Sequence, residues 1–140
     1  YEGYSCKHNE NYWNLGEYVA FGASASGYYK GKRYKNFSNL EKYYSNLGKN
    51  KLPREYTELS TSETMLIEYI MLSLRTSKGL NIDKLLGFTN KGDFGFELVS
   101  IKKKLNYLKE NGYLFKENNN YCCTDKGFLF LDSIISKLVN

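Results

Sequence analysis

"GYLFKENNNYCCTDKGF", residues 112–128, decides the fold of the second half of this chain. Two short apolar and aromatic runs flank a Glu-Asn-Asn-Asn segment whose asparagines tolerate tight-turn backbone, so the stretch predicts a β-hairpin. Thr124 follows where a hydroxyl can accept from a free amide at a helix start, and "DKGFLFLDSIISKL" reads as the last helix. Gly112, in front of the hairpin, reads as the stop of a helix running from about Phe96 to Asn111. Leu98, Ile101, Leu105 and Leu108 share one face of that helix, and Lys102, Lys103, Lys104 and Lys109 lie mostly off it.

Upstream come a short helix around Ile82–Leu86 and, before it, "TMLIEYIMLSLR". Ser60 and Glu63 have the spacing of a capping box ahead of that helix. Met65, Leu66, Ile67, Ile70 and Leu72 make it apolar nearly all round, which places it centrally. Helix, short helix, long helix, two-stranded wing, helix is the order of a winged helix-turn-helix. The class is therefore α+β, mostly helical, with a winged-helix-like domain over residues 53–140.

The first half reads differently. In "LGEYVAFGASASGYYKGKRYKN", residues 15–36, an apolar run from Tyr18 to Phe21 predicts a buried strand, followed by a small-residue loop and a basic tract. "FSNLEKYYSNL" then carries Leu40, Tyr43, Tyr44 and Leu47 at helical spacing, with Gly48 as the stop. Strand, loop and helix form a piece of an α/β layer. Gly48–Leu59, with the only proline, Pro53, reads as the linker, so residues 1–52 form the other region.

At 140 residues with 41% hydrophobic and 25% charged composition, the chain is long and apolar enough to fold around a core. No apolar run reaches the roughly 18 residues of a membrane span, and neither anchor nor signal peptide is expected. Cys6, Cys122 and Cys123 are an odd set with two adjacent, a poor disulfide framework, which points to the cytoplasm. They lack metal-ligand spacing as well. The formal charge of +5 is spread over both halves. It admits anionic partners without demanding them.

Three features could carry function. The lysine-rich helix could meet phosphates as a nucleic-acid module, but only Asn106 on it could read base edges, so nucleic acid is not the expected partner. The loop Gly22-Ala23-Ser24-Ala25-Ser26-Gly27 follows the predicted strand, where small side chains admit a ligand to the backbone or simply permit a tight turn. His8, the only histidine, begins "HNENYW", residues 8–13. Imidazole is a good iron or zinc ligand, and Tyr12 and Trp13 would suit a flat apolar macrocycle. The residues alone favour the plainer reading, an exposed loop histidine beside core aromatics. No nucleophile elbow, phosphate loop or Ser/His/Asp set is present, so no catalytic residue is assigned to this chain.

His8-Asn9-Glu10-Asn11-Tyr12-Trp13 resembles the HNxxYW motif of the oxygen-independent coproporphyrinogen III oxidase-like proteins, the HemW heme chaperone family. Further segments resemble that family in the same order. "GEYVAFGASASG" is similar to its GxGAxG segment, "KRYKN" to its Arg-x-x-Asn element, "LSLRTSKGL" to its Leu-Arg-x-x-x-Gly-Leu stretch, and "YCCTDKGFLFLDSII" to its closing helix.

The resemblance implies a C-terminal piece of a radical S-adenosylmethionine protein. Residues 1–52 would be the end of a TIM-like barrel, and residues 53–140 a helical C-terminal domain. It implies heme or porphyrin as ligand, with His8 as iron ligand and Asn9, Tyr12 and Trp13 beside it, and a heme-accepting protein as partner. It places Gly22, Ala25 and Ser26 near S-adenosylmethionine, with Ser24 departing from the family's second glycine. The 4Fe-4S ligands, a CxxxCxxC, have no match here, so the piece alone would not be an enzyme. The parent would resemble the oxygen-independent coproporphyrinogen III dehydrogenase, a porphyrin-biosynthesis oxidoreductase, or else the chaperone.

Overall fold

The computed structural model describes residues 6–89 and 98–139. They fall into two compact units, one taking in residues up to Tyr12 with Gly16–Thr61, the other Trp13–Leu15 with Ser62 onward.

The first unit starts with helix α1, Lys7–Trp13, and continues into strands β1, Ser26–Tyr29, and β2, Lys32–Asn36. Lys30 and Gly31 join these strands with φ of 49° and 70°, the paired left-handed backbone that a two-residue type I′ hairpin needs. Helix α2, Leu40–Gly48, is capped by Asn39, whose side chain accepts from the Lys42 amide. Strand β3, Arg54–Leu59, then returns along β2 to complete an antiparallel sheet in the order β1-β2-β3.

Two expectations are corrected here. The strand predicted over Tyr18–Phe21 is not formed: Tyr18 makes one isolated bridge to Tyr28, and Phe21 is 87% exposed. The strands lie further on, at the end of the small-residue loop and in the basic tract, because Tyr28, Tyr29 and Tyr34 supply the β-forming side chains there. Nor is Gly48–Leu59 a linker throughout, since Arg54–Leu59 pairs with β2 from Arg54↔Asn36 to Leu59↔Lys32.

The second unit runs α3 (Ser62–Ser73), β4 (Leu80–Asn81), α4 (Ile82–Thr89), α5 (Leu98–Glu110), β5 (Leu114–Glu117), β6 (Asn120–Cys123), α6 (Asp125–Leu129) and α7 (Leu131–Val139). β5 and β6 are the predicted hairpin, turning at Asn118 and Asn119 with Asn118 at φ 51°. β4 adds to the other edge of β6, giving the order β4-β6-β5.

Leu66 and Ile70 of α3, Leu85 of α4, Ile101 and Leu105 of α5 and Leu138 of α7 are essentially water-free and pack into one core. Each full burial of a side chain that size contributes about 1.5–3 kcal/mol. α3 is central to it, as its all-round apolarity predicts.

The predicted capping box is absent. α3 begins at Ser62, and the Ser60 hydroxyl is buried without a hydrogen-bond partner. The cap at Thr124 does form, its hydroxyl accepting from the Gly127 amide at 3.0 Å. The helix after it is broken at Phe130 into α6 and α7. The predicted start of the long helix at Phe96 lies outside the described residues.

Candidate functional site

Helix α1 brings His8 and Tyr12 one turn apart, their rings perpendicular with centroids 4.7 Å apart. Tyr12 in turn meets Tyr18 edge to face at 4.5 Å, a geometry that aromatic quadrupoles favour. Tyr18 is fixed to the sheet by two backbone hydrogen bonds with Tyr28, at 2.7 and 3.0 Å.

The return of the chain between these rings is built from short polar contacts. Leu15 takes φ 58°, the Gly16 amide donates to the Asn11 carbonyl at 2.8 Å, and the Asn11 side chain donates to the Glu17 carbonyl at 3.0 Å. Gly16 lies directly against the Asn11 side chain, leaving no room for a Cβ. The Glu17 carboxylate accepts from the Lys30 amide at 2.7 Å. A seven-residue helix that buries none of its residues is thereby tied to the β1–β2 hairpin.

His8 and Asn9 are exposed, Tyr12 is half-buried, and Trp13 is 39% exposed and belongs with the second unit. The structure therefore brings His8 and Tyr12 together but does not group Trp13 with them. Tyr18, the next ring of the ladder, is not a site residue by sequence reasoning. Its only signal there was an aromatic at the head of a predicted strand. Chemically, the arrangement presents one imidazole nitrogen donor to solvent beside apolar ring surface. No group of three His, Cys, Asp or Glu side chains able to hold a metal ion occurs among the described residues.

The small-residue loop is held by side chains of the sheet and α2. Asn36, buried on β2, donates from its side chain to the Gly22 carbonyl at 2.9 Å. The Tyr43 hydroxyl accepts from the Gly22 amide at 3.1 Å, and the Tyr34 hydroxyl from the Ala20 amide at 2.9 Å. The Ser24 amide donates to the Phe37 carbonyl at 3.1 Å, and the Ala25 carbonyl accepts from the Asn36 amide at 2.9 Å.

Gly22 at φ 101° and Ser24 at φ 62° both occupy left-handed backbone. Gly27 is in contact with the Tyr34 ring across the sheet, where a Cβ would not fit. Ala25 is half-buried and Ser26 exposed at the start of β1. The run of small residues thus follows from backbone conformation and close packing against Tyr34. The glycine of the family pattern at position 24 fits the positive φ there.

In the second unit, Lys102 and Lys103 are exposed on α5. Asn106 is already engaged, its side-chain oxygen accepting from the Tyr121 hydroxyl at 2.8 Å. The one residue of α5 suited to reading base edges is therefore committed inside the unit. Cys122 and Cys123 are buried. Burial, with the neighbouring Cys122, pushes the Cys123 thiol up to about 11, and burial with the Glu117 charge raises Cys122 as well. Such thiols stay protonated and are poor metal or cluster ligands near neutral pH.

No helix among the described residues is long and apolar enough to cross a membrane. Residues 61–130 match the HemN C-terminal domain family. The heme chaperone HemW of Lactococcus lactis is 31% identical over 98% of this chain and 35% of that protein. The heme chaperone HemW of Haemophilus influenzae is 23% identical over 95% of this chain and 33% of that protein. The fold is similar to the coproporphyrinogen III oxidase HemN of Escherichia coli, a radical SAM enzyme, with a TM-score of 0.67 at 17% identity over 89% of this chain and 29% of that one. The chain thus spans about a third of the length of the curated relatives it matches.

Proposed function

This chain belongs to the HemN C-terminal domain family, and from that premise we propose that it is the carboxyl-terminal part of a longer radical S-adenosylmethionine protein that binds heme and hands it to an acceptor protein. The observation that carries the reading is that the match to heme chaperones runs along 98% of the chain, through His8. The true oxidase is the weaker reading, because its likeness rests on fold at 17% identity.

The second unit is then the winged-helix-like C-terminal domain, consistent with its helix, strand, two helices, hairpin order. The first unit lies where the resemblance puts the end of the barrel, although its three strands are antiparallel, unlike the parallel strands of such a barrel. The setting is the cytoplasm, in keeping with three free cysteines.

The residues suit heme as a ligand, since an exposed imidazole offers a nitrogen to an iron and has ring surface beside it. Heme, when bound, would supply an iron that the His8 imidazole would hold. Tyr12 then sets the imidazole plane, with Asn9 next to His8 on α1; Trp13 belongs with the second unit and is not assigned to this site. In the longer protein Gly22, Ala25 and Ser26 line the approach to S-adenosylmethionine. The 4Fe-4S ligands lie elsewhere in that protein, since the buried thiols here do not suit a cluster.

Hemin titration of the full-length protein and of His8→Ala, followed by the Soret band, tests the assignment. Loss of the histidine-type spectrum with weaker binding is the expected result. An unchanged spectrum and affinity in His8→Ala would overturn it.

A further inference from the structure

The register of the three-stranded sheet extends the ring ladder into a second kind of chemistry. Residues paired directly across antiparallel strands project from the same face, and positions two apart along a strand share that face. Tyr18 pairs with Tyr28, Tyr28 with Arg33, and Arg33 with Glu58. One step along the strands, Ser26 pairs with Lys35 and Lys35 with Tyr56. Both rows therefore lie on the face that receives Tyr18, at the end of the His8–Tyr12–Tyr18 ladder.

The two rows differ in what they can bind. In the first, the Arg33 guanidinium sits 5.3 Å above the Tyr28 ring, and a carboxylate, Glu58, stands opposite it on β3. In the second row a lysine pairs with a serine on one strand and a tyrosine on the other, and no member is acidic. Ser26 and Tyr56 are exposed and Lys35 is half-buried. Cross-strand neighbours have Cβ atoms about 4.5–5.5 Å apart, close enough for all three to meet one ligand group. A lysine flanked by two O–H donors is chemically suited to a carboxylate.

We propose that Ser26, Lys35 and Tyr56 form a carboxylate-binding row, and that its ligand is a propionate of the porphyrin whose iron is met by His8. The proposal rests on the heme reading above and adds to it the wall that receives the propionate. It also gives a physical reason for the sheet face to carry tyrosine rings and a cation together. The rings cover flat apolar surface, and the lysine neutralises one of the two propionates at the rim of such a ligand.

Three ligands titrated into the full-length protein test it: hemin, hemin dimethyl ester in the same detergent-buffered solution, and S-adenosylmethionine. Lys35→Gln and Lys35→Glu should each weaken hemin binding, about tenfold or more for the charge reversal, as removal of a charge-assisted contact does. Both should leave the Soret position and the affinity for the dimethyl ester unchanged. His8→Ala should show the converse, an altered Soret band with the preference for the free acid retained.

Wild-type protein that binds hemin and its dimethyl ester equally, with no loss in either Lys35 variant, overturns the row and leaves the heme reading standing. A loss of S-adenosylmethionine affinity with hemin affinity intact also overturns it, assigning the carboxylate to that ligand instead. Absence of hemin binding by the wild-type protein overturns both.

Discussion

The two units are stabilised by different means. In the second, leucines and isoleucines from α3, α4, α5 and α7 close over one another with almost no residual exposure. In the first, the buried apolar side chains among the described residues are few: Tyr28, Tyr34 and Pro53. Its order comes from tyrosine hydroxyls, a buried asparagine and a chain of perpendicular rings. The contrast matters for function, because the histidine and the lysine row belong to the unit with little core. A site built from polar contacts is specified in direction by each hydrogen bond, whereas a leucine core specifies mainly volume.

The sharpest way to break the contrast is to open each unit at its own kind of contact. Leu105→Ala removes a fully buried side chain from α5 and should cost about 2–5 kcal/mol. Hydrogen exchange should report that loss in the peptides of residues 98–139 before those of residues 22–37. Equal loosening of both regions would contradict the division.

Alkaline pH probes the same core by charge. Burial holds the Cys123 thiol protonated to about 11, against an ordinary value of 9.0. The unfolded chain ionises first, so the stabilisation is complete below pH 9 and is lost as pH rises from about 9 toward 11. Urea unfolding of the wild type should therefore weaken across that window more steeply than that of Cys123→Ala. Parallel pH profiles would show that the thiol is not desolvated.

In the first unit the corresponding test is Asn36→Ala. It deletes the donor to the Gly22 carbonyl and should cost about 1–3 kcal/mol, the range for losing a buried hydrogen bond. Exchange should rise in residues 22–37, with residues 98–139 unaffected. The affinity for hemin should fall with the sheet, while a Soret band formed at saturating hemin should keep its position.

The second unit was legible in the sequence because its rules are periodic and local. Leucine spacing found α5, Thr124 marked a helix start, and the asparagine run found the β5–β6 turn. What sequence missed there, the break at Phe130 and the uncapped Ser60, depends on packing that spacing does not encode. The first unit was misread at Tyr18–Phe21 because an apolar run looks like a strand wherever it lies. There the hydrogen bonds of Ala20 and Gly22 go to the hydroxyls of Tyr34 and Tyr43, partners at distant positions that no local pattern announces. Of the site, His8 and Tyr12 followed from ligand chemistry and from family resemblance. Tyr18, Lys35 and Tyr56 emerge only from strand register, which sequence did not supply.

The smallest effect concerns the departure at Ser24. A serine beside the small-residue loop could be taken as a steric obstacle to a ligand, but its backbone shows a different consequence. Ser24 sits at φ 62° and is exposed, so the penalty falls on a Cβ in left-handed backbone, about 1 kcal/mol or somewhat more. Ser24→Gly relieves it in the folded state and adds freedom to the unfolded chain, so the two effects oppose each other. The net gain should be positive but below about 1 kcal/mol. Slower exchange at residues 22–37, with hemin affinity unchanged, would show that position 24 serves loop conformation. A gain in ligand affinity without a gain in stability would return it to the binding surface.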